Sequence, residues 1–397
     1  MTRERRRSRH ADRIARSLVS PLPAGLHADL LRAALLTDER ALAAWRVWRS
    51  QADLDRLDTA SYRLLPLLYR NLERLGVDDG WMAKLRGIYR RTWVANQVLL
   101  HRLSGVLTTL HDVRVPTMIL KGAALLDQAY GDAGARPMGD LDVWVPAADF
   151  PRAFQSLAGA GWSDRHGEAA ECAADPVRYR SRKHAVGLRT ATDQSEILDL
   201  HQDVLRLYWQ YHVPIPEKRF WDVAEPCAFD GVPTLRLAPH HQLLHISFHG
   251  LQWQSLPTIR WAADVHALIV ARAAELDWDA LLADAKDLLL VDSLREALLH
   301  VATAYDTPVP APVLASLRGA RVSLVERLER PLRRRQAGLA ASYCAAIAPL
   351  LRHARRPGAG FLRARGAEHA RRVVFDIPWE HLVRGPWRKL KRRAGGA

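Results

Sequence analysis

The chain has 397 residues, of which 48% are hydrophobic and 25% are charged, a composition typical of a globular protein and not of a disordered one. This length allows roughly two or three structural units. The three cysteines, at positions 172, 227 and 344, are far apart and form no CxxC pair, which argues against a disulfide framework and against a zinc ribbon.

An expected location follows from the same features. No apolar run in the sequence reaches the roughly 20 residues that are needed to span a bilayer. The apolar stretch that follows the basic start of the chain is broken by prolines, unlike the core of a signal peptide. We therefore expect a protein without a transmembrane segment that works in the reducing cytoplasm.

The net charge of +15 is concentrated at the two ends of the sequence. Residues 1–20 are rich in arginine, and residues 384–393 are rich in arginine and lysine. Such blocks attract RNA, other polyanions or anionic membranes, but they are also found in tails that are simply solvated. We expect a disordered basic tail at 1–20 and a basic C-terminal tail at 361–397.

Between the tails, the first region has a helical pattern. Four apolar residues with spacings of 4, 3 and 4 line one helix face: Leu99, Leu103, Val106 and Leu110. Residues 61–76 form a second amphipathic segment, for which Gly76 is a plausible C-cap. We predict an N-terminal helical region over 21–112 that packs on the rest without chemistry of its own.

Residues 113–204 alternate strand and helix patterns and are predicted to be the core. The predicted strands are 115–120, 141–145, 179–188 and 196–201, the predicted helices are 123–130 and 149–160, and the polar segment 163–177 is predicted to be a surface loop. A connector rich in proline and aromatic residues follows at 205–235, and a C-terminal helical domain at 236–360. The predicted fold is therefore α+β, a small mixed sheet flanked by helices between two helical regions.

Two aspartates on one predicted strand are the strongest chemical signal. Asp140 and Asp142 are two positions apart, and the positions that alternate with them are apolar, at Leu141, Val143 and Val145. Residues i and i+2 of a strand project from the same face, so both carboxylates point the same way. Two neighbouring carboxylates repel each other unless a cation lies between them. Mg²⁺ suits such a site because it prefers oxygen ligands from carboxylates and phosphates.

Cationic and glycine residues lie upstream of the aspartates. Lys121 and Gly122 stand where a strand turns into a helix, so backbone N–H groups and an ammonium group can face a phosphate there. Arg136 precedes Pro137 and can supply a second cation. Gly139 lets the backbone approach a metal, or it is an ordinary loop glycine. Solvated cations beside a turn glycine are the alternative reading of this group.

These residues resemble the nucleotidyltransferase superfamily that has a DNA polymerase β-like core, and more closely a bacterial branch with the signature L-K-G-x-A-L…Y…R-P-x-x-D-h-D followed by D-L-H. The matching residues are Leu120, Lys121, Gly122, Ala124, Leu125, Tyr130, Arg136, Pro137, Asp140, Asp142, Asp199, Leu200 and His201. The resemblance covers roughly residues 85 to 310. It departs from the superfamily in two ways: Lys-Gly-Ala replaces the usual Gly-Ser, and Gly122 and Asp140 are 18 positions apart.

The resemblance implies an enzyme of the EC 2.7.7 type that transfers a nucleoside monophosphate from an NTP such as ATP to a hydroxyl or phosphate acceptor and releases pyrophosphate. It implies that Asp140, Asp142 and Asp199 are catalytic and bind two Mg²⁺ ions, with Mn²⁺ as an alternative. It also implies that Lys121, Gly122, Arg136 and Gly139 bind the nucleotide. The acceptor is left open: a small molecule, a protein or peptide side chain, and RNA all fit.

Three histidines and one arginine have more than one interpretation. His201 lies on the same strand face as Asp199, and it can serve as a base or acceptor contact, or as a hydrogen-bond partner that orients Asp199. His245 and His249 have the i, i+4 spacing of zinc ligands, but no Glu between them and no clear third ligand, which favours helix packing or pocket lining. Arg260 forms an intrahelical pair with Asp264 or reaches the triphosphate.

Two other functions stay open. The first is a catalytically idle relative that binds nucleic acid or a partner, for example in a toxin–antitoxin or defence system; retention of three aspartates argues against it. The second is hydrolysis of a phosphodiester by the same metals. Hydrolysis of the Ser/His/Asp type has little support, because G-x-S-x-G is missing, as are the Walker A and dinucleotide-binding motifs.

Overall fold

The computed structural model describes residues 22–164, 167–175, 179, 183–190, 197–205, 215–251 and 259–333. Both predicted basic tails lie outside the described residues, as does the end of the predicted C-terminal helical domain beyond residue 333. Residues 191–196, almost all of them between the third and fourth predicted strands, also lie outside the described residues.

The N-terminal region is helical, as predicted. Its helices are α1 (Leu26–Leu35), α2 (Glu39–Gln51), α3 (Thr59–Tyr62), α4 (Leu65–Arg74) and α5 (Met82–Asp112), with a short 3₁₀ turn at Leu54–Arg56. Aspartates begin two of them: Asp38 accepts a hydrogen bond from the Arg40 N–H, and Asp58 accepts one from the Ser61 N–H. The four apolar residues predicted to line one face of α5 are all buried.

The centre of the protein is a seven-stranded mixed sheet, which confirms the α+β prediction. Its strands are β1 (Met118–Ile119), β2 (Leu141–Trp144), β3 (Trp162–Asp164), β4 (Ala185–Thr190), β5 (Leu198–His201), β6 (Glu225–Phe229) and β7 (Val232–Arg236). The spatial order is β3-β4-β5-β2-β1-β7-β6. β2 pairs in parallel with β5, and β1 pairs in parallel with β7, while the other neighbours are antiparallel.

One prediction about a loop was wrong, and the predicted connector contains secondary structure. The segment 163–177, predicted to be a surface loop, contains the end of β3 and the helix α8 (Glu168–Ala174), whose alanine and glutamate residues favour a helix. The range 205–235, predicted to be a connector, contains the hairpin of β6 and β7. Asp230 and Gly231 form its turn with φ of 50° and 80°, values that suit the Asp-Gly pair of a tight hairpin.

The helices that adjoin the sheet also differ in detail from the prediction. α6 (Lys121–Leu125) continues directly into a π-helical turn at Leu126–Tyr130, so the helix starts earlier than the predicted 123. α7 (Phe150–Gly159) follows β2 as expected. The first strand is shorter than the predicted 115–120, because only Met118 and Ile119 pair with a neighbour.

The C-terminal region is again helical within the described residues. It begins with α9 (Lys218–Trp221) before the hairpin and continues with α10 (Pro239–Leu251), α11 (Arg260–Arg272), α12 (Trp278–Asp287), α13 (Val291–Tyr305), α14 (Ala311–Gly319) and α15 (Leu324–Arg333). Pro308 and Pro310 lie between α13 and α14. None of the described helices combines the length and apolar character that crossing a membrane requires.

The two faces of the sheet belong to different hydrophobic clusters. Ile119, Leu141 and Val143 pack in one cluster with α5 and α7. Met118 and Trp144 pack in the other, with α1, α2, α4 and the helices α10 to α14. Since side chains alternate along a strand, Asp142, between Leu141 and Val143, points to the second face, toward the N- and C-terminal helices.

The crossing of α10 and α11 requires a glycine. A Cβ atom at Gly250 would lie 2.1 Å from the Cβ of Trp261 and 2.4 Å from its Cγ. Real atoms do not approach this closely, so any larger residue at 250 must push the two helices apart. The contact holds α10 in place beside the sheet.

We therefore predict that Gly250→Ala lowers the free energy of unfolding by about 1–3 kcal/mol, as overpacking of a core does. The matched control is Gly105→Ala in α5, where a Cβ meets no atom within 4 Å. This substitution should stabilise the protein by about 0.5–1 kcal/mol, because alanine favours a helix. Urea denaturation measures both changes, and equal effects at the two positions would contradict the packing described here.

Candidate active site

Parallel pairing of β2 with β5 brings two of the predicted aspartates together. The register places Asp142 opposite Asp199 and Trp144 opposite His201. One side-chain ligand atom from each of Asp142, Asp199 and His201 lies within 4.8 Å of the others. This group therefore has the spacing of a potential metal site, with two carboxylates and one imidazole.

Asp142 is the most buried acid of the group, and two basic side chains contact it. Its side chain is 1% exposed, and its Oδ1 accepts hydrogen bonds from Lys121 Nζ at 2.5 Å and from His201 Nε2 at 2.9 Å. Burial alone would raise the pKa of Asp142, but the Lys121 ammonium and the His201 imidazole hold it well below its usual value. Asp142 is consequently ionised.

The other two aspartates, Asp199 and Asp140, have raised pKa values. Burial and the neighbouring charge of Asp142 raise the pKa of Asp199 to about 6. Asp140, just before β2, is exposed to solvent, and its pKa is also raised, first by partial desolvation and then by Asp142. Lys121 opposes both shifts but does not cancel them. Desolvation and the closeness of the carboxylates therefore both disfavour full ionisation of the cluster.

His201 contacts a different aspartate from the one considered in the sequence. It was considered as an orienting partner of Asp199, but the structure places its Nε2 on Asp142, on the adjacent strand. Its Nδ1 lies 3.4 Å from the carbonyl oxygen of Asp203. His201 is 1% exposed, so its ring is held in one orientation. The imidazole therefore positions the carboxylate of Asp142.

The turn that carries Lys121 and Gly122 is conformationally special. Lys121 has φ of 44°, in the left-handed region that non-glycine residues seldom adopt. From this backbone conformation the Lys121 side chain reaches Asp142. A Cβ at Gly122 would lie 2.9 Å from Met138 Sδ and 3.1 Å from Arg136 Nη1, so the loop before β2 packs directly on the glycine.

Arg136 makes a buried ion pair with the C-terminal helices. Its Nε and Nη2 donate to Oδ1 and Oδ2 of Asp264, in α11, at 2.7 and 2.9 Å. Tyr130, at the end of the π-helical turn, also donates its hydroxyl to Asp264 Oδ1 at 2.8 Å. Both members of the ion pair are less than one-tenth exposed. The remaining nitrogen, Nη1, faces Gly122, as the distance above shows.

Arg260 contacts the same loop. Its Nη1 donates to the carbonyl oxygen of Pro137 at 2.6 Å, whereas its Nε is 4.0 Å from Asp264 Oδ2. The intrahelical pair expected between Arg260 and Asp264 is therefore the weaker contact, because Arg136 already binds both carboxylate oxygens. Burial and the nearby Arg136 lower the pKa of Arg260 to about 10. Its positive charge acts on Asp140.

α5 holds this loop from the other side. Asn96, fully buried, donates from Nδ2 to the carbonyl oxygens of Ala133 and Arg136 at 2.6 and 2.8 Å. Its Oδ1 accepts from the Met138 N–H at 3.0 Å. One side chain thus makes three hydrogen bonds to the loop that leads to Asp140. The N-terminal and C-terminal helices together fix the position of the aspartates.

Arg63, which lies at the end of α3, was not among the predicted site residues. Its Nη2 is 3.6 Å from where a Cβ of Gly139 would be, and its charge acts on both Asp140 and Arg260. The residue is exposed. The N-terminal helical region was expected to have no chemistry of its own, yet it places a cation next to Gly139 and Asp140. No local pattern around residue 63 indicates this role, because it depends on packing between distant segments.

His245 is buried in α10, and its ring centre is 5.9 Å from that of His249. Burial, His249 and then Lys121 lower the pKa of His245 well below its usual value, so its imidazole is neutral. Within the described residues, these two histidines do not join a group with metal-ligand spacing. This agrees with the interpretation that they pack or line the site.

Carboxylates on two adjacent parallel strands, beside a Lys-Gly turn into a helix, lie where the motif resemblance led us to expect them. The chain matches the family described as "Uncharacterised nucleotidyltransferase" over residues 57–306, more than half of its length, and it belongs to this family. No curated protein matches the chain. The matched range begins before the residue 85 expected from the motifs and includes α3 to α5, the whole sheet and α10 to α13.

The buried pair of Arg136 and Asp264 should dominate the stability of the loop. We predict that Asp264→Asn lowers the free energy of unfolding by about 3–5 kcal/mol, because it leaves the Arg136 charge buried without its partner. The control is the same change at Asp149, which pairs with the half-exposed Arg152 at 2.6 Å and should cost less than about 1 kcal/mol. Chemical denaturation followed by circular dichroism measures both, and similar losses would contradict this prediction.

Proposed function

We propose that this protein is a divalent-metal-dependent nucleotidyltransferase that moves a nucleoside monophosphate from an NTP to a hydroxyl or phosphate acceptor and releases pyrophosphate. One observation carries the proposal: Asp142 faces Asp199 across paired strands, beside Lys121, in a member of a nucleotidyltransferase family. In-line attack at the α-phosphorus requires negative charge to be balanced on both the entering and the leaving oxygen.

The donor atoms fit Mg²⁺. Asp140, Asp142 and Asp199 offer carboxylate oxygens, the ligands that Mg²⁺ and Mn²⁺ prefer. Desolvation and the charge of Asp142 raise the pKa values of Asp140 and Asp199, and a bound cation would oppose both effects. When bound, two such ions supply electrostatic stabilisation of the oxygens that enter and leave the phosphorus. Asp199 completes the site on the acceptor side. His201 keeps the Asp142 carboxylate in position through its Nε2.

The cations around the carboxylates are suited to the triphosphate. Lys121 balances Asp142 in the absence of nucleotide, and we expect its ammonium to turn to phosphate oxygens when nucleotide and metal enter. The Nη1 of Arg136 lies 3.1 Å from the Cβ position of Gly122, in the same turn, and Gly139 lets the backbone approach closely. Arg260 and Arg63 flank Asp140 and can balance the leaving pyrophosphate.

The metal ions and carboxylates cannot select the acceptor, because they act only on its oxygen atom. The residues that surround the site must therefore select it. A small hydroxylated molecule, a protein or peptide side chain, and RNA all present suitable oxygens. The C-terminal helices α10 and α11 lie on the sheet face to which Asp142 points, so we assign them to the wall of the acceptor pocket. The basic segments at 1–20 and 384–393, outside the described residues, favour RNA or another polyanion.

The direct test is turnover with each α-³²P-labelled NTP in Mg²⁺ and in Mn²⁺, offered with total RNA, a peptide library and small polyols. We expect pyrophosphate release together with label on an acceptor. Asp199→Asn should reduce the rate at least about 100-fold, the upper range for loss of even an outer partner of a metal ligand. Asp222→Asn is the control, because Asp222 is exposed at the end of α9 and is not part of the group of Asp142, Asp199 and His201.

Other outcomes separate the alternatives. Label released as free nucleoside monophosphate, without a labelled acceptor, would indicate phosphodiester or nucleotide hydrolysis. Polyanion binding without turnover, unchanged in Asp199→Asn, would favour an idle binding protein. Either result would overturn the transferase assignment.

The role proposed for Arg63 gives a separate prediction. Arg63→Ala should raise the KM for NTP about tenfold, equivalent to about 1.4 kcal/mol of lost phosphate interaction, with little change in stability because the side chain is exposed. Arg56→Ala is the matched control in the same helical region, since Arg56 is 74% exposed and pairs only loosely with Asp53. Equal KM values for the two variants would contradict a phosphate contact by Arg63.

A further inference from the structure

A second cluster of potential metal ligands lies away from the aspartates of β2 and β5. It consists of His240 and His241, in the first turn of α10, and Asp284, in α12. One ligand atom from each of the three lies within 4.8 Å of the others. Of the described residues, only this group and that of Asp142 have such spacing. It shares no residue with the active site.

The distances between these ligand atoms are close to those between the ligands of a tetrahedral ion. His241 Nε2 is 2.8 Å from Asp284 Oδ2, and His240 Nε2 is 3.8 Å from the same oxygen. Bonds of about 2.0–2.2 Å to a tetrahedral Zn²⁺ place neighbouring ligand atoms roughly 3.3–3.5 Å apart, between these two distances. Consecutive residues of a helix do not normally face the same point. Here both imidazoles converge on one carboxylate oxygen.

The surroundings leave that oxygen available. Arg219 donates from Nη1 to the other oxygen of Asp284, Oδ1, at 2.8 Å and from Nη2 to Asp287 at 2.9 Å. Arg219 thus orients Asp284 from behind, as outer partners of metal ligands commonly do. His241 is 1% exposed, and within the described part of the chain its Nδ1 has no hydrogen-bond partner. His240 and Asp284 are 12% and 15% exposed, which leaves a route for an ion.

We propose that His240, His241 and Asp284 bind one Zn²⁺ ion, with a fourth position open to water. Two imidazoles favour a borderline transition ion over Mg²⁺, which prefers a set of oxygen ligands. The ion would connect the first turn of α10 to α12. The same helix carries His245, whose imidazole interacts electrostatically with Lys121 and Asp142, so the ion would stabilise α10 next to the active site.

The competing interpretation is an ordinary hydrogen bond from His241 to Asp284 that needs no metal. In that case His240 contributes nothing to the cluster, because its nitrogen is 3.8 Å from the carboxylate. In the zinc site, by contrast, His240 is a full ligand. His240 is therefore the residue whose substitution distinguishes the two interpretations with the least disturbance of the fold.

The test uses the full chain without a polyhistidine tag, stripped with a chelator and titrated with Zn²⁺ and with Co²⁺ alone. We expect one Zn²⁺ per chain and the visible absorption of tetrahedral Co²⁺, with excess Mg²⁺ unable to compete. His240→Gln and Asp284→Asn should each weaken Zn²⁺ binding at least tenfold. Two controls should retain it: His249→Gln, and the double variant Asp140→Asn/Asp142→Asn.

Thermal unfolding of each apo variant checks that the fold is retained, and a second readout is the Zn²⁺-induced rise in melting temperature, which should disappear in His240→Gln. Several results would overturn the proposal. These are no binding by the wild type, binding unchanged in His240→Gln, or loss of binding in either control, which would place the ion at His249 or at the active-site aspartates. Because Zn²⁺ binding is measured without nucleotide, its failure leaves the proposed transferase activity untouched.

Discussion

The fold is arranged around the charge of Asp142. A carboxylate that is almost fully buried must be balanced, and Lys121 and His201 provide this balance from a helix start and a neighbouring strand. Desolvation and the charge of the same carboxylate raise the pKa values of Asp140 and Asp199. The residues that balance the charge of Asp142 thus lie among those that we propose to bind the metal ions and the triphosphate.

The loop between α6 and β2 presents Asp140 next to Asp142 but has no helix or strand of its own. Contacts from other elements must therefore hold it in place. Asn96 of the N-terminal helices binds three of its backbone groups, and Asp264 of the C-terminal helices binds Arg136. Both helical regions therefore take part in shaping the site. The family match includes helices on both sides of the sheet.

Local patterns in the sequence were sufficient to predict the α+β fold and β2, because strand alternation and a DxD spacing are short-range signals. The hairpin of β6 and β7 was missed although Asp230-Gly231 marks its turn, since the proline content suggested a connector. Contacts between distant segments could not be predicted from local sequence patterns. The pair of Arg136 and Asp264 joins residues 128 positions apart, and Arg63 reaches Gly139 only because α3 packs near the loop. The contact of His201 with Asp142 depends on the parallel register, which the sequence does not specify.

The measurement that tests the central claim most directly is calorimetric binding of each NTP in Mg²⁺ to the wild type and to Asp140→Ala/Asp142→Ala. If the carboxylates form the proposed site, the wild type binds at least one NTP in a metal-dependent way, and the double variant, still folded by circular dichroism, loses that dependence. Metal-dependent NTP binding that is equally strong in the double variant would contradict the account, because the nucleotide would then be held elsewhere.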